Sequence, residues 1–156
     1  MDRPTFYYLE DKDKPIRAAG IIFYQNTEQG TRYLFICSDR GIEDFGGCTD
    51  NKDNDALDTA LRETEEESNG ILKKEELKGR INQEEAIYIK NSKYIIYFCK
   101  LNEDDNFEES EFGNFEIHDN IERTVKYIKK KELRKSHSKL NFRLRNKDFF
   151  KKIYSL

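Results

Sequence analysis

The chain is predicted to fold as an α/β (α+β) domain. Three observations carry that prediction: two runs rich in strand formers near the N-terminus, a segment of helical apolar spacing after them, and further strand-like runs leading to a basic segment and a C-terminal helix. In chain order, Arg17-Ala18-Ala19-Gly20-Ile21-Ile22-Phe23-Tyr24 reads as a strand, 25–30 as a turn and 32–37 as a second strand, so a hairpin is the natural reading. Residues 38–44 read as a loop, and Phe45-Gly46-Gly47 leads into a stretch, 50–55, that offers several helix N-caps in succession. The helix predicted over 55–68 places Ala56, Leu57, Ala60, Leu61 and Thr64 on one packed face, with Glu63 and Glu67 at its border and Glu65 on the solvent side. Strands are predicted at 84–89, 93–101, 112–117 and 121–127, followed by a basic segment and a helix over 146–154.

A chain of 156 residues with no internal repeat and no Pro- or Gly-rich linker is read as one domain, 1–156. Hydrophobic residues make up 36% and charged residues 38%, a polar balance, but the apolar positions cluster. Disorder is therefore expected only at 102–110 and the two ends. Cys37, Cys48 and Cys99 are an odd number without paired spacing, which excludes a disulfide framework and a zinc cluster; Cys37 and Cys99 read as core, and Cys48 as a residue a ligand could approach. With no signal-like N-terminus and no apolar run of membrane-spanning length, a cytoplasmic location away from membranes is expected.

The chemistry concentrates in Arg62-Glu63-Thr64-Glu65-Glu66-Glu67, four carboxylates in five residues close after a glycine pair. On a helix Glu63, Glu66 and Glu67 stand at i, i+3 and i+4, so they repel one another on a shared face unless a cation sits among them. Hard oxygen donors in that number suit Mg²⁺ or Mn²⁺. Arg62, one turn before Glu66, is placed to orient these acids.

Residues 46–70 resemble the Nudix box, a glycine, five residues, Glu, seven residues and then Arg-Glu-apolar-x-Glu-Glu-x-Gly-apolar. Arg62, Glu63, Glu66 and Glu67 match every fixed position of its core. Counted from Gly47, Arg62 comes one residue late, Asp53 or Asp55 replaces the first Glu, Thr64 replaces an aliphatic residue, and Asn69 stands where the closing Gly belongs, with Gly70 after it. Asn adopts the left-handed helix end more readily than any residue but Gly, so the C-terminal cap is expected to survive. The resemblance implies a Nudix-like fold, a mixed β-sheet sandwiched between α-helices. It also implies hydrolysis of a pyrophosphate bond in a nucleoside diphosphate derivative. By matching position, Glu63, Glu66 and Glu67 become metal ligands, with the Gly46 carbonyl completing the shell. The family's general base comes from the box or from a loop beyond it; Glu122 is the preferred residue outside the box and Glu116 its competitor.

Residues 126–152 carry twelve Lys or Arg against two acids, so that stretch is +10 and the remainder −13. Gly47, Lys129, Lys130 and Arg143 are accordingly expected to bind substrate, the cations as a basic wall facing an anionic ligand. That wall also raises capped or triphosphorylated RNA as a substrate. The altered box loop raises a non-catalytic nucleotide sensor as a third possibility. Tyr24, Phe45 and Tyr97 are candidate stacking residues, and His118 and His137 read as surface or supporting residues. Family members often pair, so a homodimer is an allowed state.

Overall fold

The computed structural model describes residues 2–156. Its strands and helices are, in order, β1 (Phe6–Tyr7), β2 (Pro15–Ile16), β3 (Ala18–Thr27), β4 (Gly30–Ser38), β5 (Gly41–Glu43), β6 (Phe45–Cys48), α1 (Ala56–Glu67), α2 (Lys74–Leu77), β7 (Ile87–Ile89), β8 (Tyr94–Leu101), β9 (Phe115–Glu116), β10 (Ile121–Glu122), β11 (Thr124–Lys129), α3 (Lys130–Lys135) and α4 (Lys147–Ser155). The central sheet runs β11-β4-β3-β8-β7, with β5 added to β4 and β6 to β3. It is mixed, because β3 and β8 are parallel while its other pairs are antiparallel.

Strict alternation along the central strands sends side chains to two buried layers. Ala19, Ile21 and Phe23 of β3, Leu34 and Ile36 of β4, and Ile95, Tyr97, Cys99 and Leu101 of β8 pack with Ala56, Leu57, Ala60 and Leu61 of α1. The intervening Ile22, Tyr33, Phe35, Tyr94, Ile96 and Phe98 pack on the other face with Leu133 of α3 and Phe149 and Ile153 of α4. Burial on both faces is why these strands read as nearly continuous apolar runs. The sheet is thus sandwiched between helices, as the box resemblance implies.

Several predicted boundaries move. Residues 83–85 form a 3₁₀ turn capped by Asn82, leaving only Ile87–Ile89 as strand. Residues 109–112 are likewise 3₁₀, so the predicted strand at 112–117 shrinks to Phe115–Glu116. The predicted strand at 121–127 is two, broken at Arg123, whose side chain is drawn inward. The 102–110 segment is tied down rather than loose: Arg80 grips Asp105 at 2.6 Å, and Gln25 donates to the carbonyls of Asn102 and Asp105. The N-terminal end is held too, by the β1–β2 hairpin and by Thr49, whose hydroxyl donates to the Pro4 carbonyl at 2.7 Å. Among the described residues no helix is long and apolar enough to cross a membrane.

Candidate active site

Three short sequence features build the site: the glycine strand β6, the last turns of α1, and the β9–β10 hairpin. Helix α1 starts where Asp55 accepts from the Asp58 amide at 2.7 Å, and it ends with Asn69 and Gly70 at φ 55° and 78°, the left-handed cap that Asn was expected to preserve. Its buried face is the predicted one, Thr64 included, whose hydroxyl donates to the Ala60 carbonyl at 2.7 Å. Glu65 departs from expectation: its carboxylate accepts from the Lys74 amide at 3.0 Å and so caps α2 instead of standing free.

The close approach of α1 to β6 explains the glycine pair. A Cβ on Gly47 would lie 2.5 Å from the Glu63 carboxyl carbon, and one on Gly46 would collide with the Tyr94 hydroxyl and the Ala19 carbonyl. Glu67 accepts from the Gly46 amide at 2.6 Å, so the same strand that makes room for Glu63 anchors Glu67. Gly47→Ala should therefore displace the Glu63 carboxylate, which can swing, while leaving the sheet intact. The expected outcome is activity reduced about 100-fold, the scale of a 1 Å misplacement, with a melting temperature shifted by no more than a few degrees.

Arg62 organises the acids. It donates to both oxygens of Asp53, at 2.8 and 3.0 Å, to the Cys48 carbonyl at 2.8 Å, to Glu63 at 3.1 Å and to Glu66 at 3.4 Å. Of the two candidate aspartates, Asp53 is the one that Arg62 holds, and Asp55 is the helix cap. Burial by itself would raise the Asp53 carboxyl, but hydrogen bonds from Arg62, Thr59 and the Asp50 amide outweigh it and hold it below the usual range.

Glu63 and Glu67 are the opposite case. They occupy the end of a helix, where the macrodipole disfavours negative charge, and no basic residue stands in that last turn. Burial pushes the Glu63 carboxyl up to about 7 against the pull of Arg62, and burial reinforced by Glu63 lifts Glu67 well above the ordinary value. Glu116 faces the same place from β9. It is 3% exposed, its carboxyl is raised by burial and by Asp119, and its Oε1 is buried without a hydrogen-bond partner among the described residues. His118 lies beyond it, Nε2 3.5 Å from Glu66.

Among the described residues no three acidic, histidine or cysteine side chains close up into a ready-made coordination shell. The donor set nonetheless fits a hard divalent cation: it is all oxygen, crowded, and includes one buried carboxylate oxygen without a partner. Gly46 is beside it, held by Glu67.

The raised carboxyls have a testable consequence for the metal-free chain. A group whose folded pKa exceeds its unfolded one stabilises the fold below the unfolded value and loses that contribution as pH rises through the folded value. For Glu63 the window runs from 4.5 to about 7. Thermal unfolding without divalent ions should therefore show wild type losing stability across this window relative to Glu63→Gln, with saturating Mg²⁺ restoring it most at the upper end. A Mg²⁺ increment independent of pH would contradict the assignment.

Arg123, on which sequence reasoning was silent, caps the helix end. Its guanidinium donates to the Glu67 carbonyl at 2.8 and 3.2 Å and to the Gly113 carbonyl at 2.8 Å, joining α1 to the approach to the β9–β10 hairpin. No local pattern marks it, since its partners are distant in sequence.

Four expected site residues lie elsewhere. Glu122 is exposed on β10, paired through its backbone with Phe115 and directed away from the buried position of Glu116. Lys129 ends β11 opposite Arg32, while Arg123 precedes its start, so roughly 20 Å of strand separates it from the carboxylates. Lys130 donates to the Leu156 carbonyl at 2.8 Å. Arg143 is an internal residue: it donates to Asp44 at 2.8 and 3.1 Å and to Glu43 at 3.4 Å, over the ring of Tyr94. The basic C-terminal segment packs largely on the sheet face opposite α1, and the expected wall facing the acids is not assembled. Of the aromatic candidates, Phe45 and Tyr97 are core and Tyr24 is half-buried beside α4.

Taken together, these elements make a Nudix-type fold with its acidic helix set against a glycine strand. Among solved structures, an Ap4A hydrolase from C. elegans superposes with a TM-score of 0.59 at 19% identity, covering 90% of this chain and 96% of that one. A C. elegans Ap4A hydrolase binary complex does so with a TM-score of 0.59 at 18% identity and the same coverage. The likeness at this identity is one of fold. No family model matches the chain, and no curated protein matches it in sequence.

Proposed function

We propose that this protein is a divalent-metal-dependent hydrolase of a phosphoanhydride bond in a nucleoside polyphosphate, with dinucleoside polyphosphates the first substrates to test. The observation that carries the proposal is the gathering of Glu63, Glu66 and Glu67 at the unfavourable end of a helix dipole beside the buried Glu116, whose Oε1 has no hydrogen-bond partner among the described residues. The fold shared with an Ap4A hydrolase supports it. Glu63, Glu66, Glu67 and the Gly46 carbonyl would hold Mg²⁺ or Mn²⁺, and the Glu116 carboxylate would add a further negative charge facing the ion. When bound, the ion neutralises phosphoryl oxygens that would otherwise repel an attacking water.

The chain's own residues do the rest. Arg62 holds Glu63 and Glu66 in register through its anchor on Asp53. Gly46 and Gly47, without side chains, let the Glu63 and Glu67 carboxylates lie directly against β6. Glu116 receives the proton of the attacking water: its burial, raised carboxyl and unpartnered oxygen favour it over the exposed Glu122. The sensor alternative drew its motive from the one-residue insertion in the box loop and from the missing first Glu; against it, Asp53 supplies a carboxylate that Arg62 holds through both oxygens. The RNA alternative drew on the basic segment, whose cations are partly spent on internal contacts.

The test is a panel of nucleoside di-, tri- and dinucleoside polyphosphates with Mg²⁺ and product identification. Release of a nucleotide and a phosphate-bearing fragment from at least one class is expected. Tight nucleotide binding with no turnover of any substrate would reverse the proposal in favour of the sensor.

A further inference from the structure

We infer that Asn69, where the box pattern has glycine, is a positioning residue that fixes Glu116 over the carboxylate cluster. The inference rests on the metal-site reading above. The β9–β10 hairpin is a two-residue ladder outside the central sheet, its Glu116–Ile121 and Phe115–Glu122 pairs followed by one more backbone bond, from the Arg123 amide to the Asn114 carbonyl at 3.2 Å. A ladder that short does not hold its own register in water. Arg123 ties its base to α1, and the Asn69 carboxamide holds the strand that carries Glu116. Nδ2 donates to the Phe112 carbonyl at 3.0 Å and to the Phe115 carbonyl at 2.9 Å, while Oδ1 accepts from the Ile117 amide at 3.0 Å. The last two groups lie on either side of Glu116, so one side chain grips the backbone before and after it. Asn69 also follows Glu67 by two residues, at the end of α1. The side chain therefore ties Glu116 to the helix that carries Glu63, Glu66 and Glu67.

A cap needs only the backbone at φ 55°, which glycine adopts more easily than asparagine. Capping alone gives no reason for the carboxamide. Asn69→Gly keeps the cap and removes the grip; Asn69→Ala removes the grip and strains the cap, so the two should differ in melting temperature.

Both variants are expected to lower Mn²⁺ affinity, read by calorimetry, and kcat by the same factor of about ten, with KM held, the scale seen when a residue supporting a metal ligand is lost. The Ile117 amide should exchange its hydrogen about tenfold faster in both, having lost its acceptor. In a Glu116→Gln background Asn69→Gly should add nothing further. Mn²⁺ affinity that follows melting temperature, or an Asn69→Gly effect undiminished without Glu116, would overturn the inference. If Glu116→Gln weakens Mn²⁺ binding while Asn69→Gly leaves it at the wild-type value, the inference alone falls. If neither substitution affects binding or turnover, the role given to Glu116 falls with it.

Discussion

Glu66→Gln is expected to reduce kcat about 1,000-fold while leaving the fold and its stability in place, because several kcal/mol of charge stabilisation at a metal site vanish with one ligand. Glu66 sits between Arg62 at 3.4 Å and His118 at 3.5 Å, its side chain 16% exposed. Glutamine preserves its shape and its ability to accept from Arg62. It also removes a negative charge from the unfavourable end of the α1 dipole, so without metal the variant should melt at the wild-type temperature or slightly above. The two observables move apart only if the charge is there for a ligand. A variant with wild-type turnover would refute the metal assignment; one that unfolds would mean that Glu66 serves the scaffold.

Arg143→Ala is expected to fail in the opposite way, losing stability before it affects substrate affinity. Asp44, whose side chain is fully buried, accepts from Arg143 through one oxygen and from the Tyr94 hydroxyl at 2.5 Å through the other. Tyr94 is itself buried, and burial keeps its phenol protonated and therefore a donor. Breaking a buried pair by removing one partner costs about 3–5 kcal/mol, since the other charge is left in a dry site. For a domain of this size that is a fall in melting temperature of roughly 10 °C. Chemical denaturation measures it directly. Unchanged stability with a KM raised tenfold or more would restore Arg143 to the substrate site and contradict the internal role.

These two residues also mark how far the sequence could be read. Glu66 was legible because everything that defines it is local: the Asp55 cap, the Ala56, Leu57, Ala60 and Leu61 face, and the i, i+3, i+4 spacing of the acids. The paired layers of the sheet were legible for the same reason, since their alternation is written into β3, β4 and β8. Arg143 was not, because in a segment with twelve basic residues, 126–152, nothing local separates a solvated cation from a buried one. Its partner Asp44 lies 99 positions earlier. Glu116 was visible only as a competitor to Glu122. The two residues differ in direction, not in composition, and the bonds that set the direction run from Asn69 to Phe115, 46 positions away. Residues 84–86 misled because their polar-apolar neighbourhood imitates strand alternation, while the Asn82 cap diverts the backbone into a 3₁₀ turn.

The most direct test of the metal-site claim is anomalous diffraction at the manganese edge from crystals soaked in Mn²⁺. The expected result is manganese at the C-terminal turns of α1, within coordination distance of Glu63, Glu66 or Glu67, about 2.1–2.2 Å as for other small divalent ions on oxygen. Saturating Mn²⁺ with no anomalous peak at that turn, in crystals of protein that hydrolyses nucleotides, would contradict it.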